Sequence, residues 1–219
     1  MRDASSQLSL WNRQLGRVPD SVWEQTELEG LVLAENGLSE VSEQIGRLKR
    51  LRMLDLGHNK LTQLPESLAD IEGLSDFLYL HDNRLAALPL SLGKLTKLRY
   101  LNISENIFEV FPECVSSMSS LIELRVSDNC LPSLPDSIGR LSGLRELHLR
   151  NNKLSSLPET LGMMLELRQI DLRGNSLTHL PAGIAALPRL EKLDLRWVET
   201  LIPPVWIRDL EARGCLIYR

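Results

Sequence analysis

Apolar residues recur along this chain in one fixed phase. They stand two apart, at Leu54 and Leu56 for example, with a polar residue between them, and three positions after each pair comes an asparagine. The asparagines are Asn36, Asn59, Asn83, Asn106, Asn129, Asn152 and Asn175; neighbours are 23 residues apart, except 24 from Asn59 to Asn83. Residues 51–73, LRMLDLGHNKLTQLPESLADIEG, show one full period, in which Leu51, Leu61, Leu64, Leu68 and Ile71 also recur from coil to coil. The two-residue alternation predicts a short strand that buries Leu54 and Leu56 and turns Asp55 and Gly57 the other way. One period is too short to bury its own apolar face. Stacked periods bury it against their neighbours, and each leucine so covered contributes about 1.5–3 kcal/mol. The pattern therefore predicts an elongated stack of coils with one continuous apolar column and a parallel sheet along one side.

An asparagine amide both donates and accepts, so an inward asparagine can satisfy the backbone groups exposed where the chain bends after the strand. This assigns the seven asparagines a structural role. Proline recurs at Pro19, Pro65, Pro89, Pro112, Pro135, Pro158 and Pro181. Its fixed φ and missing N–H suit the start of an outer helical or 3₁₀ turn. Two local departures stand out: Ser42 replaces the expected proline, and one extra residue enters near Ser75–Phe77. At the ends, Arg13 and Val198 occupy asparagine positions. Residues 1–27 are read as an N-terminal capping coil, 28–198 as regular repeats and 199–219 as a closing cap, all within one domain. In that cap Leu216 and Tyr218 are expected to point inward.

The form LxxLxLxxNxLxxLPxxIxxLxx, running over residues 8–212, resembles the intracellular leucine-rich repeats of the Ras-group type. That group includes plant Ras-group-related proteins, erbin-like adaptors and bacterial relatives. The resemblance implies an α/β fold: a right-handed leucine-rich repeat solenoid, or horseshoe, with a concave parallel sheet and short convex helical or 3₁₀ segments. It also implies a non-enzymatic scaffold or adaptor that binds a protein partner on the concave face, often in signalling. An effector acting on a host partner, as in some bacterial relatives, is the alternative.

Composition narrows this reading. The net charge of −4 lacks the basic excess of a nucleic-acid binder. No apolar run approaches the ~18 residues of a membrane span or forms a signal peptide. Cys114, Cys130 and Cys215 form no C-x-x-C pair, which fits a reducing cytosol. A cytoplasmic monomer without cofactor is the expectation.

Because the core positions are fixed by the repeat, the chemistry lies in the outward columns. Met53, His58, Phe77, Tyr79, His81 and Tyr100 gather in the third to fifth coils, in a chain only 5% aromatic. Exposed aromatics are frequent interface anchors. Arg125, Arg150, Arg173 and Arg196 stand beside His148 further along. They either pair with carboxylates such as Glu146, Asp171 and Asp194 or receive an acidic partner. The partner is thus expected to be part apolar and part acidic. Two chemical alternatives are weak. Ser127, His148 and Asp171 fall on adjacent coils as a hydrolytic triad would, but an open sheet offers no oxyanion hole. His58 and His81, with Asp55 and Asp82 nearby, match no known metal-ligand spacing, so neither a catalytic nor a metal site is assigned.

Overall fold

The computed structural model describes residues 6–219. Ten three-residue strands pair in chain order as one open parallel sheet. They are β1 (Gln7–Ser9), β2 (Gly30–Val32), β3 (Met53–Asp55), β4 (Phe77–Tyr79), β5 (Tyr100–Asn102), β6 (Glu123–Arg125), β7 (Glu146–His148), β8 (Gln169–Asp171), β9 (Lys192–Asp194) and β10 (Leu216–Tyr218). The central residue of each regular strand is buried, as Leu54, Leu78, Leu101, Leu124 and Leu147 are, and its neighbours face outward on the concave side.

The convex side is built from short 3₁₀ segments, such as Glu66–Asp70 and Asp136–Arg140, each entered from an extended proline. Ser42 replaces that proline by another device: its hydroxyl oxygen accepts the N–H of Gln44 at 3.2 Å, capping Glu43–Arg47.

All seven asparagines are buried. Asn106 shows the arrangement. Its amide donates to the carbonyls of Ile103 and Ser104 in its own coil and of Leu80 in the preceding one, at 3.0–3.2 Å. Its side-chain oxygen accepts the Leu85 N–H at 2.9 Å.

The extra residue near Ser75 is absorbed before β4 begins. Asp76 and Phe77 both donate to the Arg52 carbonyl, as Arg52 and Met53 do to Glu29 one coil earlier. The following coil then divides its two donors, Arg99 N–H reaching the Ser75 carbonyl and Tyr100 N–H that of Asp76. The strand register is unbroken: Met53 pairs with Phe77, and Phe77 with Tyr100.

The closing coil corrects one expectation. Leu216 and Tyr218 face outward, 58% and 41% exposed, and Ile217 is the residue that packs against the core. A true helix, α1 (Ile207–Ala212), replaces the 3₁₀ segment, and Gly214 at φ 89° follows it. The coil is thereby one residue longer than the repeat, so that Ile217 pairs with Leu193 across 24 positions. A slip of one residue exchanges the two faces of a strand.

Candidate functional site

The concave face is made of two columns from the strands and two from the turn that follows. The last of these columns is Asn12, Glu35, His58, Asp82, Glu105, Asp128, Asn151, Gly174 and Trp197, and every member has φ between 49° and 65°. In the seven coils from Glu35 to Gly174, left-handed backbone at this point lets the next residue, an asparagine, turn inward. Glycine, asparagine and aspartate adopt it readily, whereas a bulkier side chain costs roughly 1–2 kcal/mol there. A second local device involves Asp55, Asn102, Asp171 and Asp194, each of which accepts the backbone N–H two residues on, at 2.9–3.3 Å.

The aromatic zone is assembled on β4 and β5. Phe77 lies outward, 42% exposed, with its ring 5.9 Å from Tyr79 and 5.6 Å from Tyr100. The two tyrosine rings are 5.0 Å apart. Met53 stands opposite Phe77 on β3. Burial pushes the Tyr100 phenol up to about 12; burial, then the charges of Asp55 and Glu123, raises Tyr79. Both therefore stay neutral donors near neutral pH. Beside Phe77 and Tyr100 a hollow of about 370 Å³ opens between Arg52, Arg99, Ile122 and Glu123. His81 approaches Tyr79 at 6.1 Å and meets His58 at 4.6 Å between ring centroids. Burial, followed by the neighbouring His58, lowers the His81 pKa.

The basic zone is internally matched. The Arg125 Nε donates to Glu123 at 2.5 Å, and Arg150 pairs with Asp128 at 3.0 Å. Arg173 grips Asp171 with two bonds of 2.8 and 2.6 Å. Arg196 does the same to Asp194 at 2.9 and 2.7 Å. Asp194 is only 1% exposed. Burial alone would raise its pKa, but the hydrogen bonds from Arg196 and the charges of Arg196 and Arg173 together hold it below the usual carboxylate value. A second hollow, of about 290 Å³, is lined by Arg125, Asp128, Arg150, Asp171 and Arg173 and reaches Ser127 and His148.

Ser127, His148 and Asp171 line that hollow but form no relay: no hydrogen bond links them among the described residues. His148 Nε2 lies 3.3 Å from Glu146, Asp171 is held by Arg173, and the Ser127 N–H donates to the Ser104 hydroxyl. Burial and then the Arg125 charge lower the His148 pKa. Glu123, Glu146 and His148 bring three ligand-type atoms within 4.8 Å, yet the Arg125 guanidinium already sits on Glu123. The three cysteines are unpaired, and burial pushes the Cys114 thiol up to about 11. Among the described residues no helix is long and apolar enough to cross a membrane.

Two residues on this face escape a reading from sequence. Trp197 is 65% exposed and lies 5.6 Å from the Arg196 guanidinium and 6.0 Å from that of Arg173. Tyr218 lies 5.4 Å from Arg196 and 5.6 Å from Lys192. Counting along the repeat places Trp197 in the last outward column, as His58 stands two after Leu56, and its size was the available signal. Tyr218 was hidden by the lengthened closing coil.

Comparison with known proteins matches this architecture. A family model described as a leucine-rich repeat region covers residues 19–127, and another, leucine rich repeat, covers 106–154 and 142–197. A leucine-rich repeat protein of Leptospira interrogans superposes with a TM-score of 0.87 at 29% identity, over 98% of this chain and 54% of that one. The structure titled plant peptide hormone receptor RGFR1 in complex with RGF2 gives 0.77 at 32% identity, over 88% of this chain and 32% of that one. The volume-regulated anion channel subunit LRRC8D of Rattus norvegicus is 34% identical over 88 residues, which are 39% of this chain. The chain spans about a tenth of that relative's length. The repeat matched by these models from residue 19 to residue 197, on an open parallel sheet with an inward asparagine in each regular coil, makes this chain a member of the leucine-rich repeat family.

Proposed function

We propose that this chain is a protein-recognition module of the scaffold or adaptor kind, acting as a monomer in cytoplasmic signalling and holding a partner segment across its concave face. The observation that carries this reading is the outward cluster of Phe77, Tyr79 and Tyr100, placed beside an open hollow. A rigid sheet holds these rings in place, so little conformational entropy is lost when an apolar side chain docks on them. Two similar structures support this use of the fold: the RGFR1 receptor with RGF2, and the ectodomain of GASSHO1/SCHENGEN3 from Arabidopsis thaliana with CASPARIAN STRIP INTEGRITY FACTOR 2. The acidic part of the partner contributes less than its apolar part. Arg125, Arg150, Arg173 and Arg196 already have carboxylates, with which an incoming acidic group must compete.

The test compares capture of a partner from the source organism's lysate by wild type, by Tyr79→Ala/Tyr100→Ala and by Arg150→Ala/Arg173→Ala, all with matching circular dichroism. A protein lost with the tyrosine pair and only weakened with the arginine pair supports the reading. Equal retention by all three removes the concave face as the binding surface. The likeness to the Leptospira protein along nearly the whole chain favours, as a second reading, a bacterial effector that uses the same surface. Capture from a host lysate alone would support it.

A further inference from the structure

His58 and His81 sit on the turns after β3 and β4. Their Nε2 atoms are 3.1 Å apart, with ring planes inclined at 81°. Two imidazole nitrogens sharing one tetrahedral ion, each at about 2.0–2.1 Å from it, lie roughly 3.3 Å apart. Without an ion one hydrogen bond joins the two nitrogens, and their separation is close to the coordinating one, so that a bound ion would replace the shared proton. The ring centroids are only 4.6 Å apart, closer than rings meeting tip to tip at that nitrogen distance, so the two nitrogens approach at an angle.

Three surrounding features favour a cation. The Nδ1 of His58 lies 2.7 Å from the Asp82 carboxylate. A carboxylate in that position fixes the tautomer that presents the Nε2 lone pair, as it does behind metal-bound histidines. Below His81 lies Gly57, where a Cβ would stand 2.5 Å from Cε1 and 2.9 Å from Nδ1 of the ring. Glycine makes room for this ring position. Among the described residues the charges acting on His81 are those of His58 and the carboxylates of Asp55, Glu105 and Asp82, with no lysine or arginine. The Glu123–Glu146–His148 cluster differs on this last point, because Arg125 fills it.

We propose that His58 and His81 form a binding site for one divalent first-row transition ion of the zinc, nickel or copper class. Imidazole suits these metals, and the three carboxylates offset the added charge. Water or a partner's side chain completes the shell on the open face beside Tyr79. This inference does not depend on the proposed binding function.

The test is isothermal titration of untagged, chelator-treated protein with zinc and, separately, nickel. One ion per chain is expected. His58→Gln and His81→Gln should each weaken binding by more than about tenfold, and Asp82→Asn, which keeps the left-handed backbone, by about tenfold. Gly57→Ala should weaken it too by displacing the His81 ring, and His148→Gln should not alter it. Circular dichroism and melting temperature establish that each variant folds. Absence of stoichiometric binding, binding unchanged in both histidine variants at 58 and 81, or binding lost instead in His148→Gln would each overturn the proposal.

Discussion

Truncating Asn106 to alanine removes four hydrogen bonds, but the structure indicates that only one backbone group is orphaned. The Leu80 carbonyl keeps the Asn83 amide at 3.1 Å, the Ile103 carbonyl keeps the Asn129 amide at 3.1 Å, and the Ser104 carbonyl keeps the Asp82 N–H at 3.1 Å. The Leu85 N–H, by contrast, is paired with the Asn106 oxygen. One buried donor without a partner costs about 1–3 kcal/mol, so Asn106→Ala is expected to lose about 2 kcal/mol. Asn129→Ala orphans the Phe108 N–H in the same way and should cost a similar amount. The double variant also strips both amides from the Ile103 carbonyl. It should therefore lose roughly 1 kcal/mol more than the sum of the single losses, a coupling typical of residues that share a partner. Urea unfolding of the four proteins of this cycle, followed by far-ultraviolet circular dichroism, measures it. Singles indistinguishable from wild type would refute the inward-asparagine account. Strict additivity would refute the shared-carbonyl account while leaving the first intact.

Glu105→Asn relieves the left-handed strain at φ 55° and should stabilise the chain by about 0.5–1 kcal/mol; an unchanged melting temperature would contradict that. Ile217→Asp should destabilise the closing coil by about 2 kcal/mol, and Leu216→Asp by under about 0.5 kcal/mol. Equal losses in urea would contradict the register assigned to β10. The lowered pKa of His148 sets a sign for acid stability. Its contribution is fully present above the unfolded value of about 6.5 and is lost as pH falls from there through the lower folded value, because the unfolded chain takes up the proton first. His148→Gln should flatten melting temperature against pH below about 6.5, and an unaltered slope would count against this burial effect.

The repeat was legible because its signals agree. Each of Leu54, Asn59, Pro65 and Leu68 occupies a position where one residue type serves one physical task, and strand register follows by counting. The columns on the concave face could be written down from β1 to β9 for the same reason, and the pairing of Met53 with Phe77 and of Arg125 with His148 agrees with that count. Counting fails where spacing changes, and Leu216 and Tyr218 were misplaced by the one extra residue around α1 and Gly214. Conformation was less legible than position. Nothing in the letters of Glu35, His58 or Glu105 signals left-handed backbone, which is imposed by the inward asparagine that follows; Trp197 adopts it too, ahead of Val198. Which arginine meets which carboxylate was also only partly legible: Asp171 and Asp194 were foreseen, whereas Glu123 and Asp128, which hold Arg125 and Arg150, depend on side-chain reach within and between coils.

The extra residue at Ser75 has a consequence for how such a chain can change over generations. Its carbonyl is taken up by the next coil, and the strand that follows returns to register. Length at this joint is therefore close to neutral for the stack. A coil can gain a residue on the way into its strand without exposing a leucine or stranding an asparagine. Variation that would wreck a closed globule is here confined to one loop, next to the rings of Phe77 and Tyr100. The surface can explore new chemistry while the apolar column behind it stays as it was.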